Sequence, residues 1–219
     1  EFRRVLFRSN EQLACRDPQQ ARQAMSGEKR QGVDALGAVL SELGYLEGSV
    51  PHVTVTDEGR RLARLHTELD LLLAEALARG TLDDLSPAEF ASVTSLLVHE
   101  SRRDGEPVRP PNSRVQLASD ALLDVWSDVT AVEASCGARE TREPDASFSA
   151  AVHRWASGAR LSTVLRDGDI SAGDFVRWIR RIIDVLEQIA GASAEHSKVA
   201  RDACTLLRRG IVASVDIDE

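Results

Sequence analysis

Ser171-Ala172-Gly173-Asp174-Phe175-Val176-Arg177-Trp178-Ile179-Arg180-Arg181-Ile182-Ile183-Asp184-Val185-Leu186-Glu187-Gln188-Ile189-Ala190 carries the period that sets the fold class. At 100° per residue, Phe175, Trp178, Ile179, Ile182, Leu186 and Ile189 fall on one broad apolar face, the pattern of a helix laid on a core. Ser171 can cap its start, and Asp174 can answer the cap and suits the positive end of the helix dipole, so a helix is predicted over about 172–190. Opposite lies a stripe of Asp174, Arg177, Arg181, Asp184 and Gln188, with Arg180 at its side. The stripe has two readings. It can be a solvated face whose charge pairs contribute about 0.2–0.5 kcal/mol each, or a row of guanidinium groups that contact phosphates or stack on the bases of a single strand. Periodicity leaves both open. Trp178 is assigned to the core rather than to stacking.

Working outward, the same period recurs. Ser86-Pro87-Ala88-Glu89 combines a Ser cap, Pro at the first helical position and a Glu that closes a capping box. It predicts a helix bearing Phe90, Val93, Leu96 and Leu97 that ends near Arg103, ahead of the loop Glu106-Pro107-Val108-Arg109-Pro110-Pro111. Leu62, Leu65, Leu69, Leu72, Leu73, Ala76 and Leu77 predict one long amphipathic helix from about Arg60 to Gly80. Val115, Leu122, Val125 and Val129 mark another, ended by Gly137; Phe148, Val152 and Trp155 a short one stopped by Gly158; Leu161, Val164 and Leu165 one of two turns. A last helix is expected over 194–213. Residues 11–25 are weakly helical, and Val33, Leu36, Val39, Leu40 and Leu43 form a stripe that Gly44 can end, giving a first helix pair. After a turn at Gly44-Tyr45-Leu46-Glu47-Gly48, Val53-Thr54-Val55-Thr56 is the one strand signal. The expected fold is an all-α helical bundle with a minor N-terminal β-hairpin or strand.

Composition narrows function. With 42% apolar residues in 219, the chain can bury one sizeable core or two small ones. Its 27 Lys and Arg stand against 35 Asp and Glu, a net charge of -8, so any contact with nucleic acid has to be local. Cys15, Cys136 and Cys204 are too far apart for a disulfide framework or a zinc spacing. No apolar run spans a bilayer and no signal peptide opens the chain, so a cytoplasmic protein without membrane contact is expected. Residues 1–9 lack the period of the rest, and Arg4-Val5-Leu6-Phe7-Arg8-Ser9 resembles a translated sequencing-adapter end; they are read as an artefact.

Neither lysine, Lys29 nor Lys198, follows a glycine, so the chain has no P-loop. The five histidines are scattered without an H-E-x-x-H, and His99-Glu100-Ser101, if helical, would point in different directions. No catalytic residue and no metal ligand is expected, and no cofactor in this chain.

From Leu43 to Val215 the order of segments resembles the C-terminal DSHCT domain of superkiller and HelY-type superfamily 2 RNA helicases. The residues that carry it are Leu43-Gly44-Tyr45-Leu46, Val55-Thr56-Asp57-Glu58-Gly59-Arg60, Glu68-Leu69-Asp70-Leu71-Leu72, Leu85-Ser86-Pro87-Ala88-Glu89 running on to Leu97-Val98-His99-Glu100, Thr141-Arg142-Glu143-Pro144, Trp155-Ala156-Ser157-Gly158, Gly173-Asp174-Phe175-Val176-Arg177-Trp178 and Leu207-Arg208-Arg209-Gly210-Ile211-Val212. The resemblance implies a bundle packed on the motor domains of the same polypeptide, with one ratchet-like helix contacting single-stranded RNA, or DNA, as it leaves the motor. It implies a base-contacting role for Arg177 and, by position, for Glu100; Arg180 and Arg181 are added from the helix geometry. It also implies ATP and Mg for the parent helicase. The motor is not in this chain, and the Cys-rich segment of HelY-type proteins is reduced to Cys15. The expected organisation is therefore 10–60 as the end of a preceding helicase domain and 61–219 as the bundle, in a C-terminal fragment. A stand-alone module that binds a partner protein is the alternative.

Overall fold

The computed structural model describes residues 27–49, 52–101, 109–168 and 170–214. The expectations for residues 1–9 and 11–25, Cys15 and most of the proline-rich loop lie outside them. The elements are α1 (Gly27–Glu42), β1 (Leu46–Ser49), β2 (His52–Val55), α2 (Asp57–Leu62), α3 (Asp70–Ala78), α4 (Pro87–Thr94), α5 (Ser113–Ser135), α6 (Ser149–Ala156), α7 (Leu161–Gly168), α8 (Ala172–Ala192), α9 (Ser197–Leu207) and α10 (Ile211–Ser214). The all-α bundle with a small N-terminal hairpin is as expected. Among the described residues, no helix is long and apolar enough to cross a membrane.

Contacts divide the chain into two compact units. The first holds residues up to Arg64 together with Ser127–Thr141. Its hairpin pairs Leu46 with Val55 and Ser49 with His52, antiparallel. The segment expected as a turn is therefore mostly strand, because β2 supplies the hydrogen-bond partners that local sequence cannot reveal. Thr56 joins hairpin to helix: its hydroxyl lies 2.9 Å from Gly44 O and accepts from Gly59 N at 3.0 Å, capping α2. Gly59 is required there, since a Cβ would sit 2.3 Å from Tyr45 O.

The second unit holds Leu65–Trp126 and Arg142–Glu219, with α4 at its centre, packed on α6, α8 and α9. The predicted capping box is present: Ser86 N donates to Glu89 Oε2 at 2.9 Å. Phe90, Val93, Leu96 and Leu97 are fully buried or nearly so.

Three predicted helices differ in extent. The one expected over 60–80 is two, α2 and α3, because between them Thr67 Oγ1 accepts from Leu69 N and Gln188 Oε1 accepts from His66 N. Nor is α3 amphipathic; Leu71, Leu72, Leu73, Ala74, Glu75 and Ala76 are all buried, and Glu75 is paired with Arg79 at 3.0 Å. The helix expected to reach Arg103 ends with a 3₁₀ turn at Ser95–Leu97. Thr94 and Ser95 return their hydroxyls to Phe90 O and Ser92 O, and His99 is held by other elements. The last helix is broken over Arg208–Gly210, where Gly210 takes the left-handed region at φ 52°, into α9 and α10.

Candidate nucleic-acid interface

The helix α8 is set as its sequence predicts. Ser171 Oγ accepts from Asp174 N at 3.1 Å, and Phe175, Ile179, Ile182, Leu186 and Ile189 are buried. Ile183 and Val185 are buried as well, so the apolar face is wider than the period alone indicates. Arg177, Arg181 and Asp184 are exposed, whereas Arg180 is half-buried.

Trp178 departs from its expected core position. It is half-buried, and two guanidinium groups lie against its ring, with Cζ of Arg177 5.5 Å and Cζ of Arg181 5.3 Å from the centroid. Each such contact contributes about 0.5–1 kcal/mol at an exposed site. Arg177 also pairs with Asp174 at 2.7 Å, with 59% and 49% of the two side chains exposed. That i,i+3 pair is a charge pair of the kind a solvated face carries, and its exposure makes it weak. Among the described residues, Arg181 makes no salt bridge. Burial first, then Glu187, pushes the Asp184 carboxyl up, against the pull of Arg208, Arg180 and Arg181.

Trp178 and His99 meet edge to face, with ring centroids 4.8 Å apart at 66°. His99 stacks on Phe148 at 5.1 Å, Phe148 meets Phe175 at 5.9 Å, and Phe175 meets Trp155 at 5.3 Å. This row of rings runs from the exposed arginines of α8 into the core, each contact adding about 0.5–1.5 kcal/mol beyond area burial. Glu100 is exposed and follows His99 in irregular chain rather than on a helix. Glu100 and Arg177 are thus each next in sequence to one partner of the His99–Trp178 contact.

Asp145 holds that segment. Its Oδ2 accepts from Ser101 N at 2.5 Å and lies 3.4 Å from His99 Nδ1, and its Oδ1 accepts from Ser147 N at 2.8 Å. Ser147 Oγ is 3.1 Å from the same His99 nitrogen. Burial alone would raise the Asp145 carboxyl; the hydrogen bonds from His99, Ser147 and Ser101 outweigh it and hold the group well below the usual carboxylate range.

At the inner end, Trp155 is 2% exposed and donates from Nε1 to Leu207 O at 3.0 Å. The Arg209 guanidinium lies 3.5 Å over its ring and donates to the carbonyls of Trp155 and Ala159 at 2.5 and 2.6 Å. These carbonyls lie at and beyond the end of α6.

The sequence has no P-loop, and among the described residues no group of three or more His, Cys, Asp or Glu could hold an ion. Burial pushes the Cys204 thiol up to about 11, which leaves it a packing residue and not a nucleophile.

Sequence reasoning missed His99, Asp145 and Ser147. The Asp145-Ala146-Ser147 turn ahead of Phe148 is a legible capping signal. Its partner His99, on a different segment, is not.

Residues 52–214 match the DSHCT (NUC185) domain. The chain is similar to "Probable helicase HelY" of Mycobacterium leprae, 36% identical over 194 residues that make up 82% of this chain and 21% of that protein. It is similar to Superkiller complex protein 2 of Mus musculus, 28% identical over 189 residues, 82% of this chain and 15% of that protein. The ATP-dependent RNA helicase mtr4 of Schizosaccharomyces pombe is 22% identical over 193 residues, 82% and 17%. The chain spans about a fifth of the length of these relatives, or less.

Proposed function

The chain belongs to the DSHCT (NUC185) domain family, and from that premise we propose that it serves as the C-terminal helical domain of an ATP-dependent RNA helicase. In this role it guides single-stranded RNA, or DNA, as the strand leaves the motor domains of the same polypeptide. ATP and Mg act in those motor domains, in the cytoplasm, while this domain contributes contacts to the strand.

The observation that supports the reading is the exposed face of α8: two guanidinium groups on one half-buried indole, next to the segment that carries Glu100. Cation–π contact leaves the in-plane N–H groups of an arginine free to donate to phosphate, and the flat guanidinium can stack on a base. Arg177 and Arg181 make these contacts, and half-buried Arg180 borders them. Glu100 accepts hydrogen bonds from base or ribose donors. With a net charge of -8, binding rests on these few groups and is weak in isolation.

The test is photo-crosslinking of 4-thiouridine RNA to the complete helicase that carries this chain, with the crosslinked peptides mapped. Adducts on the peptides bearing Arg177–Arg181 and Glu100 are expected. Removing Arg177 and Arg181 together should reduce the slope of log affinity against log salt by about 1 to 1.5. Adducts confined to other surfaces, with an unchanged slope, overturn the reading.

A further inference from the structure

The segment Thr141-Arg142-Glu143-Pro144 and the Asp145 that follows it have no part in the face just described, yet Asp145 reaches both of its halves. Its carboxylate touches the backbone of Ser101 on one side of Glu100 and the ring of His99 on the other. The His99 ring then meets the Trp178 ring edge to face, and Arg177 and Arg181 rest over that indole. Asp145, His99, Ser101, Trp178, Arg177 and Arg181 all belong to the second compact unit.

We infer that Asp145 is a positioning residue for strand guidance: acting through His99 and Ser101, it fixes Glu100 and the Trp178 indole relative to each other and so sets the spacing between Glu100 and the Arg177–Arg181 pair. The inference rests on the reading of α8 as a strand-contacting helix. The physical reason is that neither half can hold the spacing unaided. Glu100 sits in irregular chain outside any helix, and segments without a ladder or a helix take their geometry from side-chain hydrogen bonds. Arginine side chains lose much rotamer freedom on binding, and a fixed aromatic plate reduces that cost. A carboxylate with hydrogen bonds from two backbone N–H groups, on Ser101 and Ser147, in addition to the imidazole contact, is over-determined in position. It can therefore fix both halves from one point.

The experiment is a double-mutant cycle in the complete helicase, with RNA-stimulated ATP hydrolysis followed as a function of RNA concentration. Asp145→Ala should raise the RNA concentration for half-maximal stimulation about three- to tenfold, and change the maximal rate less than about twofold, the scale of one or two lost hydrogen bonds. Ser147→Ala, on an exposed side chain that does not threaten folding, should shift it in the same direction by about twofold. In an Arg177→Ala, Arg181→Ala background, Asp145→Ala should have no further effect on the RNA requirement, because the spacing it sets no longer matters. Equal effects of Asp145→Ala in both backgrounds, or a fall in maximal rate with an unchanged RNA requirement, assign Asp145 a purely structural role and overturn the inference. If the arginine variants alone leave RNA stimulation unchanged, the reading of α8 falls, and this inference with it. If they impair it and both Asp145→Ala and Ser147→Ala do not, only the positioning role falls.

Discussion

Trp155 and Trp178 each carry arginine, at opposite ends of one row of aromatic rings. At the inner end, Arg209 lies 3.5 Å over Trp155, and its N–H groups go to the carbonyls of Trp155 and Ala159. At the outer end, Arg177 and Arg181 lie 5.5 and 5.3 Å from the centre of Trp178, and their N–H groups face solvent except for the exposed pair with Asp174. The chemistry is the same and the use differs. Where backbone carbonyls absorb the donors, the arginine closes a helix and stiffens the core. Where they do not, the donors remain available for a ligand.

The contrast can be broken by mutation. Trp155→Ala should have the largest effect on stability, about 3–5 kcal/mol, since it opens a cavity and removes the bond from Nε1 to Leu207 O; denaturant unfolding measures it. Arg209→Ala should cost about 2 kcal/mol by the same measure through lost charge-assisted bonds, and Arg209→Lys should not restore it, because an ammonium cannot lie flat on the indole and bridge two carbonyls. Asp145→Ala should cost about 1–2 kcal/mol at neutral pH. The Asp145 carboxyl is depressed in the folded state, so its stabilisation is present above the ordinary carboxylate range and is lost as pH falls below it. The variant should accordingly lose stability less steeply than the parent between about pH 4 and pH 2, as an acid titration of unfolding would record. Smallest of all, Arg177→Ala and Arg181→Ala should each change stability by no more than about 0.5 kcal/mol, because their contacts are exposed.

Much of this was legible. The cap at Ser171, the box at Ser86 and Glu89, and the buried faces of α4 and α8 follow from spacing, because caps and helical faces are set within a few residues. The ends of helices were less so. The break between α2 and α3 depends on Gln188, which accepts from His66 N across 122 positions of sequence. The early end of α4 depends on the docking of His99 by Asp145 and Ser147. Trp178 was misplaced for a related reason. Its angle on the helical wheel puts it at the border of the apolar face, and only the neighbouring arginines and His99 decide how far it is covered. Two stretches singled out by family resemblance, around Trp155 and around Arg209, turn out to be each other's partners, a contact between segments 54 residues apart that neither stretch announces alone.

The most direct measurement is to compare two variants of the complete helicase, Arg177→Ala with Arg181→Ala, and Arg209→Ala, for both RNA unwinding and thermal unfolding. A crossing is expected: the first loses unwinding about tenfold or more with its unfolding temperature and ATP affinity unchanged, and the second loses unfolding temperature while its folded fraction unwinds normally. Unwinding that survives the loss of Arg177 and Arg181 would contradict it.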